Sequence, residues 1–418
     1  MRLSKKTSIV VSDRYANIIG HMCYAAYKLW NVCNYERKNY KALGFEKFPN
    51  WYYQKKVHKD NMWYKQLPAQ SAQEVCKLLD KAWLSFFALK KKGTIENPQP
   101  PRFKHEGIPI TYMQAGIKHE TGSKHIRLSL AKRLVAYMSD EYGIDDTFLY
   151  LENGLFKDMN AIKQIKIYPP NNNKCEIIVI YESPDVMPLS DNNKYLSIDM
   201  GICNLMTCLN MQDGESFIVG RKYLALCHYY NKEIARVQSQ WQTCQSKKGV
   251  QYPKGSKHIS KLYKRKNNAI RDYLHKITKA IVDYCISNDI RTVIIGDIKN
   301  IRKNNDKTDA FNQKLHALPY NKIYNLLAYK LALRGITLVK QKEAYTSQCS
   351  PLAPIINKAN AKKQQRVKRG LYKDQGQTWQ ADCVGAYNIA RLYLKTKEIH
   401  TVLAPQEIQV PYVLKVAV

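Results

Sequence analysis

Three acids in apolar settings are the residues whose types and spacing invite chemistry. Asp199 closes the strand-like run YLSID (195–199), just ahead of Gly201. Asp382 falls at helical spacing with Ala386, Ile389 and Tyr393, on a stripe that must face a core. Asp297 ends the apolar run VIIGD (293–297). An acid at the carboxyl edge of an α/β sheet stands where active sites of such folds form. A carboxylate on a core-facing stripe costs on the order of several kcal/mol unless it is paired or bound to metal. Acids gathered by a sheet and a helix suit Mg²⁺ or Mn²⁺, which take oxygen ligands, and a pair of such ions hydrolyses phosphodiesters. Plainer roles exist for each: Asp199 as a turn former before glycine, Asp382 as a helix N-cap.

Alternation along a strand separates two of the candidates. Val293, Ile295 and Asp297 share one face, while Thr292, Ile294 and Gly296 share the other. Asp297 serves a site only on its own face, and a slip of one residue would invert the whole strand.

The elements that must hold these acids lie in the second half. After YLSID and a glycine turn, LMTCLN pairs back, and a long basic helical region spans about 220–288. RTVIIGD is the next strand. NKIYNLLAYKLALRG is a helix with Ile323, Leu326, Leu327 and Leu331 inward, closed by Arg334-Gly335. ITLVKQKEA reads as a strand and ADCVGAYNIARLYL as a final helix, an alternation that argues for an α/β sheet. The tail beyond Thr396 has no assignment. In the first half, Asp13 is the expected cap of a helix with the stripe Ile18, Met22, Ala26 and Trp30. A second helix carries Cys76, Leu79, Ala82, Trp83 and Phe86 and stops at Gly93, before a proline loop at Pro98, Pro100 and Pro101. Strands follow at 126–130, and a hairpin joins Ile165 and Ile167 to IIVIY (177–181) through Asn171–Asn173. The polar link SDNNK (190–194) is the expected domain boundary.

Composition narrows the partners. The 418 residues include 67 Lys plus Arg against 34 Asp plus Glu, a formal charge of +33, which nucleic-acid phosphates would neutralise. No apolar run approaches the ~20 residues of a membrane span, so no membrane partner is expected. MRLSKK is followed by no apolar signal region. The 11 cysteines are scattered without a C-x-x-C pair, which fits reduced thiols in the cytoplasm and argues against structural zinc.

Taken in order, YLSIDMGICNLMT, VIIGDIKNI, EAYTSQCS and ADCVGAYNIARLY resemble the RuvC-type nuclease segments of the TnpB family, transposon-encoded RNA-guided DNA nucleases related to compact type V CRISPR effectors. In the first half PRFKH (101–105) and WLSFFALKK (83–91) resemble family landmarks more loosely. The resemblance implies a mixed α/β chain with an RNase H-like RuvC domain over 190–418. It also implies a β-barrel wedge domain over 1–10 and 100–189, with a helical recognition lobe inserted at 11–99. The family's first and last catalytic acids map onto Asp199 and Asp382, and its middle glutamate onto position 296, here Gly. A subset of the family has Gly-Asp in this strand and a glutamate before AYTS, which here is Glu343. Paired strands lie about 4.8 Å apart, so a glutamate ending the neighbouring strand could reach the same place. The expected set is therefore Asp199, Glu343 and Asp382, with Asp199 bridging two Mg²⁺ ions (or Mn²⁺) and Asp297 structural. The family's four-cysteine zinc ribbon is replaced by a basic insert, 349–380, with one thiol, Cys349.

The partners implied are a guide RNA from the transposon end and double-stranded target DNA cut beside a short adjacent motif, in a monomer of a bacterial or archaeal cytoplasm, associated with the nucleoid. Phosphate contacts are expected at Lys261, Lys264, Arg265 and Arg271, and at Lys363, Arg366, Lys368 and Arg369. Tyr52, Tyr53, Gln70 and Gln73 are candidates for reading the adjacent motif. Two rivals stand beside this reading. One is an RNA-guided binder with a dead nuclease, motivated by Gly296; the other is a guide-independent nuclease that recognises DNA structure.

Overall fold

The computed structural model describes residues 1–93, 95–298, 308–368, 370–400 and 403–417. The chain forms two compact units, Met1–Asp185 and Val186–Val418. The division falls a few residues before the polar link because Leu189 N donates to Gly335 O at 2.8 Å, which ties that stretch to the second unit.

In the first unit, β1 (Arg2–Val10) leads into α1 (Asp13–Lys38), and α2 (Trp51–Val57), α3 (Met62–Lys65) and α4 (Ala69–Lys92) follow. Ser12, not Asp13, caps α1: its hydroxyl accepts from Tyr15 N. Asp13 is already the first helical residue, where an acid still favours the helix dipole. Gly93 ends α4 in the left-handed conformation. Next come β2 (Ile110–Met113), β3 (Ile117–Lys118), β4 (His125–Ser129), α5 (Lys132–Tyr142), β5 (Phe148–Glu152), β6 (Ala161–Ile167) and β7 (Lys174–Glu182). The strands form two antiparallel sheets, β1-β7-β6-β2 and β3-β4-β5. Both bury one face on a core shared with α1 and α4, in which Ile18, Met22, Leu79, Leu128 and Ile165 are fully enclosed.

The second unit holds the acids. Its strands are β8 (Tyr195–Asp199), β9 (Met206–Asn210) and β10 (Ser216–Val219), then β11 (Thr292–Asp297) and β12 (Thr337–Lys342). The basic region between β10 and β11 is two helices, α6 (Tyr223–Lys247) and α7 (Lys257–Ser287). Ser256 caps the second of them, accepting from Ile259 N. Between β11 and β12 stand α8 (Asp309–Ala317) and α9 (Tyr320–Ala332). The hairpin β13 (Leu371–Asp374) and β14 (Gln377–Gln380) precedes α10 (Ala381–Thr396), and β15 (Tyr412–Val413) lies in the tail. The sheet runs β12-β11-β8-β9-β10-β15. Strands β8, β9 and β10 are antiparallel to one another, while β11 runs parallel to β8 and β12 parallel to β11. The tail thus supplies an edge strand, parallel to β10.

This sheet is buried on both faces, which explains strands that read as continuous apolar runs. Val293 and Ile295 pack toward α7 and α9 with Ile277, Ile281, Ile323 and Leu327. Tyr195 and Ile294 pack toward α10 with Ala386, Ile389 and Ala390. The alternation read from sequence therefore has a physical counterpart, with position 296 on the α10 face and Asp297 on the α9 face. No helix among the described residues is long and apolar enough to cross a membrane.

Candidate active site

Strand β8 carries Ser197 and Asp199 toward α10. The Ser197 hydroxyl donates to Ala386 O at 2.6 Å, which pins β8 to the helix one residue pair before the acid. A methyl group on Gly385 would stand 2.7 Å from Asp199 Oδ2. Only glycine at this point of α10 lets the helix backbone lie against the carboxylate.

Parallel pairing places the next position. The last paired residues of β8 and β11 are Ile198 and Ile295, so Asp199 and Gly296 follow side by side. On the other side of β11, Gly296 pairs with Gln341, and Glu343 lies two residues on, with the same facing. A methyl group on Gly296 would stand 1.4 Å from Glu343 Oε1 and 2.4 Å from its carboxyl carbon. The glutamate side chain fills the space that a side chain at 296 would take. Glu343 Oε1 is buried with no hydrogen-bond partner.

Asp382 sits in the first turn of α10, but it is not the cap. The Gln380 side chain caps the helix, accepting from Asp382 N at 2.7 Å and Cys383 N at 2.8 Å. The Asp382 carboxylate is free to face outward from the turn. Its Oδ2 accepts from Asn204 Nδ2 at 2.8 Å and from Gln380 Nε2 at 3.2 Å, and Arg366 lies 3.5 Å from Oδ1. Asn204 reaches it through a tight turn. A methyl group on Gly201 would be 2.7 Å from Asn204 O.

Two of the three acids, Asp199 and Glu343, are perturbed by their surroundings. Burial pushes the Asp199 carboxyl well up, and the charge of Asp382 adds to it, against the opposing pull of Arg366. Burial likewise raises Glu343, with Asp199 and then Asp297 contributing. Among the described residues no three His, Cys, Asp or Glu side chains stand close enough to enclose an ion as they are. The charges of the acids act pairwise, Asp382 on Asp199 and Asp199 on Glu343. Their donors are all oxygen, one buried carboxylate oxygen has no partner, and two glycines leave room beside the carboxylates, features that fit hard divalent cations.

Asp297 is held elsewhere: the Tyr320 hydroxyl donates to its Oδ1 at 3.1 Å, from α9. Lys261, Lys264, Arg265 and Arg271 line the exposed side of α7, and Lys363 and Lys368 are exposed in the insert. Arg366, expected on phosphate, faces Asp382. Arg369 lies outside the described residues. In the first unit, Tyr52 is exposed with its ring centre 3.9 Å from Trp51 and Lys55 Nζ 4.6 Å over it. Tyr53 meets Phe45 edge-on at 5.7 Å. Gln70 is exposed and Gln73 half-buried near the start of α4. The sequence reading did not single out Gly385, Asn204 or Gln380; a glycine inside a helical run was the one available signal.

The insert is anchored by α10. Asn388 Nδ2 donates to Thr346 O and Cys349 O, both at 2.9 Å, and Arg391 donates to Pro351 O and Ala353 O. Tyr372 and Trp379 pack with Ala381 and Val384 in a small core of their own.

Parts of the second unit match known family models. Residues 178–302 match the family model OrfB_IS605, described as "Probable transposase", and residues 320–389 match "Cas12f1-like, TNB domain". The chain is similar to "Putative RNA-guided DNA endonuclease InsQ" of Escherichia coli (strain K12), 25% identical over 369 residues, 85% of this chain and 82% of that one. These matches are in line with the resemblance to the TnpB family. The fold of the chain resembles that of a solved structure titled "Cryo-EM structure of the Cas12f1-sgRNA-target DNA complex", with a TM-score of 0.58 at 15% identity over 90% of this chain and 82% of that one. The mixed α/β architecture of this chain is thus shared with that structure.

Proposed function

We propose that the protein is an RNA-guided DNA endonuclease that hydrolyses target DNA beside a short adjacent motif, with Asp199, Glu343 and Asp382 as its catalytic acids. The observation that carries this is the exchange at the sheet edge: Gly296 leaves a space and the Glu343 carboxylate occupies it, next to Asp199. A dead nuclease has no reason to keep a third buried acid at a cost in stability. The similarity to InsQ supports the RNA-guided part of the reading.

Divalent ions held by the three carboxylates would supply an activated water and stabilise the leaving oxygen. The chain's own residues prepare that site. Asn204 and Gln380 fix the rotamer of Asp382 through its Oδ2. Gly385 lets α10 close over Asp199 and exclude water from one side. The exposed lysines of α7 and of the insert would neutralise phosphate, a sequence-independent contribution that weakens with salt.

The test is to purify the protein with its bound RNA, sequence that RNA, and supply a matching plasmid target with a randomised flank and Mg²⁺. Wild type should linearise the target only with the RNA, and Glu343→Gln should not. Cutting without RNA would favour a structure-specific nuclease, and guided binding without cutting would favour an inert binder.

A further inference from the structure

The first unit carries a pocket that neither the acids nor the basic helix explains. It holds about 700 Å³ between α1, α3, α5 and the Asn172–Asn173 turn. On α1, Asn17, Gly20, His21 and Tyr24 face it at spacings of three and four residues, and Lys28 continues the stripe. His21 stacks on Tyr137 with ring centres 4.5 Å apart, and Tyr24 meets Trp63 edge-on at 5.5 Å. Lys28 Nζ lies 5.2 Å over Tyr24 and 6.0 Å from Trp63. Tyr24 and Tyr142 remain 40% and 54% exposed, so these rings are presented rather than buried. The lining contains no Asp, Glu, Lys or Arg. It is rich in aromatic rings, and Asn17, Gln66 and Asn172 add side-chain amides to the lining.

Gly20 is a second, independent sign. Glycine weakens a helix interior relative to alanine, and packing does not demand it here. A methyl group at Gly20 would find its nearest neighbour, Pro170 Cγ, at 3.8 Å, ordinary contact. Its effect is to keep the wall of the pocket low.

A neutral, planar occupant with hydrogen-bonding edges suits such a lining, and Lys28 at the rim suits an anion joined to it. We propose that this pocket receives an unpaired nucleobase of a single-stranded nucleic acid, stacked among Tyr24, Trp63 and Tyr137, with its phosphate toward Lys28; this rests on the nucleic-acid reading above. Stacking on an aromatic platform tolerates any base, so the pocket holds a strand without reading its sequence.

The experiment uses the full-length chain with two short single-stranded oligonucleotides of one sequence, RNA and DNA, each carrying one 5-iodouracil. Irradiation should link the base to peptides from 13–38, 62–66 or 132–142. Gly20→Leu, which fills the pocket and removes no ring, should abolish that link and weaken binding about tenfold. Tyr24→Ala should do the same, and it decides the matter if Gly20→Leu loses the wild-type melting transition. A link to RNA alone, DNA alone or both identifies the strand. Oligonucleotides that bind but link only elsewhere, or bind the folded variants as tightly as wild type, overturn the pocket and leave the nucleic-acid reading standing. Failure of wild type to bind either oligonucleotide overturns both.

Discussion

Each unit of the molecule buries a cluster of ionisable groups, and the two clusters are built in opposite ways. In the first unit Arg37 is enclosed, with its guanidinium 2.9 Å from Asp80 Oδ1 and its Nε donating to Gln54 Oε1 at 2.9 Å. Gln54 in turn donates to Cys33 O and Glu36 Oε2, and His58 lies 3.2 Å from the same carboxylate. Burial alone would raise Glu36, but hydrogen bonds from His58 and Gln54 bring its carboxyl below the usual value. In the second unit burial raises both Asp199 and Glu343; the charge of Asp382 adds to the first, against Arg366, and the charges of Asp199 and Asp297 add to the second. One cluster pairs its charges and serves the fold. The other gathers like charges, an arrangement that destabilises the fold and that a bound cation would relieve.

That contrast is broken most forcefully by substituting one residue on each side. Asp199→Asn should cut cleavage by about 10³-fold or more, since the ions would lose their shared ligand. It should also raise the melting temperature, because it removes a buried like charge. A fall in melting temperature with cleavage retained would reverse the assignment of the site. Asp80→Ala should do the opposite. It leaves Arg37 buried without its ion-pair partner and should cost about 3–5 kcal/mol in urea unfolding. A cost within the error of the wild type would mean that the first cluster is not structural.

Finer changes sharpen the comparison. Gly385→Ala favours the helix yet pushes a methyl group to 2.7 Å from Asp199 Oδ2. Cleavage should drop by about 10²-fold, the scale of an ångström-sized misplacement, while the chain still folds, with a melting temperature lowered by the close contact. Cleavage at the wild-type rate would show that Asp199 can move aside without consequence. The pH dependence follows from the raised carboxyls. An acid that stays protonated in the folded chain above its unfolded value of about 4 releases a proton on unfolding. Stability from the neutral forms is therefore complete at low pH and lost as pH rises into the neutral range. Thermal melts of the metal-free protein should show this decline. Mg²⁺ should offset it by a few degrees, on the order expected of a ligand held only by the folded state, and should not do so in Glu343→Gln. A rise in stability over the same pH window would contradict the buried-acid description.

Much of the site was legible because strand parity is a rigid rule. Alternation alone put Asp297 and Gly296 on opposite faces; Glu343 came from the family resemblance, and the β8-β11-β12 pairing gives it the facing of 296. What sequence could not show is what lies across a gap. Gly385 looks like a weak point of a helix until the Asp199 carboxylate is seen against it. Arg366 looks like one more phosphate contact in a basic insert until its 3.5 Å approach to Asp382 is measured. Local capping was misplaced by one residue at Ser12, because serine and aspartate both cap well and stand adjacent. The Gln380 cap had no sequence signal, since glutamine is not a favoured capping residue. The tail strand β15 is only two residues long, too short for any periodicity to mark.

The smallest expected effect is the one that tests parity directly. Asp297 faces α9, where the Tyr320 hydroxyl donates to its Oδ1 at 3.1 Å, an interaction an asparagine oxygen can accept equally well. Its remaining link to the site is its charge, which contributes after burial and Asp199 to the raised carboxyl of Glu343. Asp297→Asn removes that charge, so Glu343 should ionise somewhat more readily, and the metal-dependent rate should rise toward its plateau at slightly lower pH. At neutral pH cleavage should stay within about threefold of wild type, a change below the ~1.4 kcal/mol that makes a factor of ten. Abolished cutting, with the melting temperature intact, would mean that the carboxylate on the α9 face is a ligand after all. The acid cluster would then have to be redrawn around β11 rather than across it.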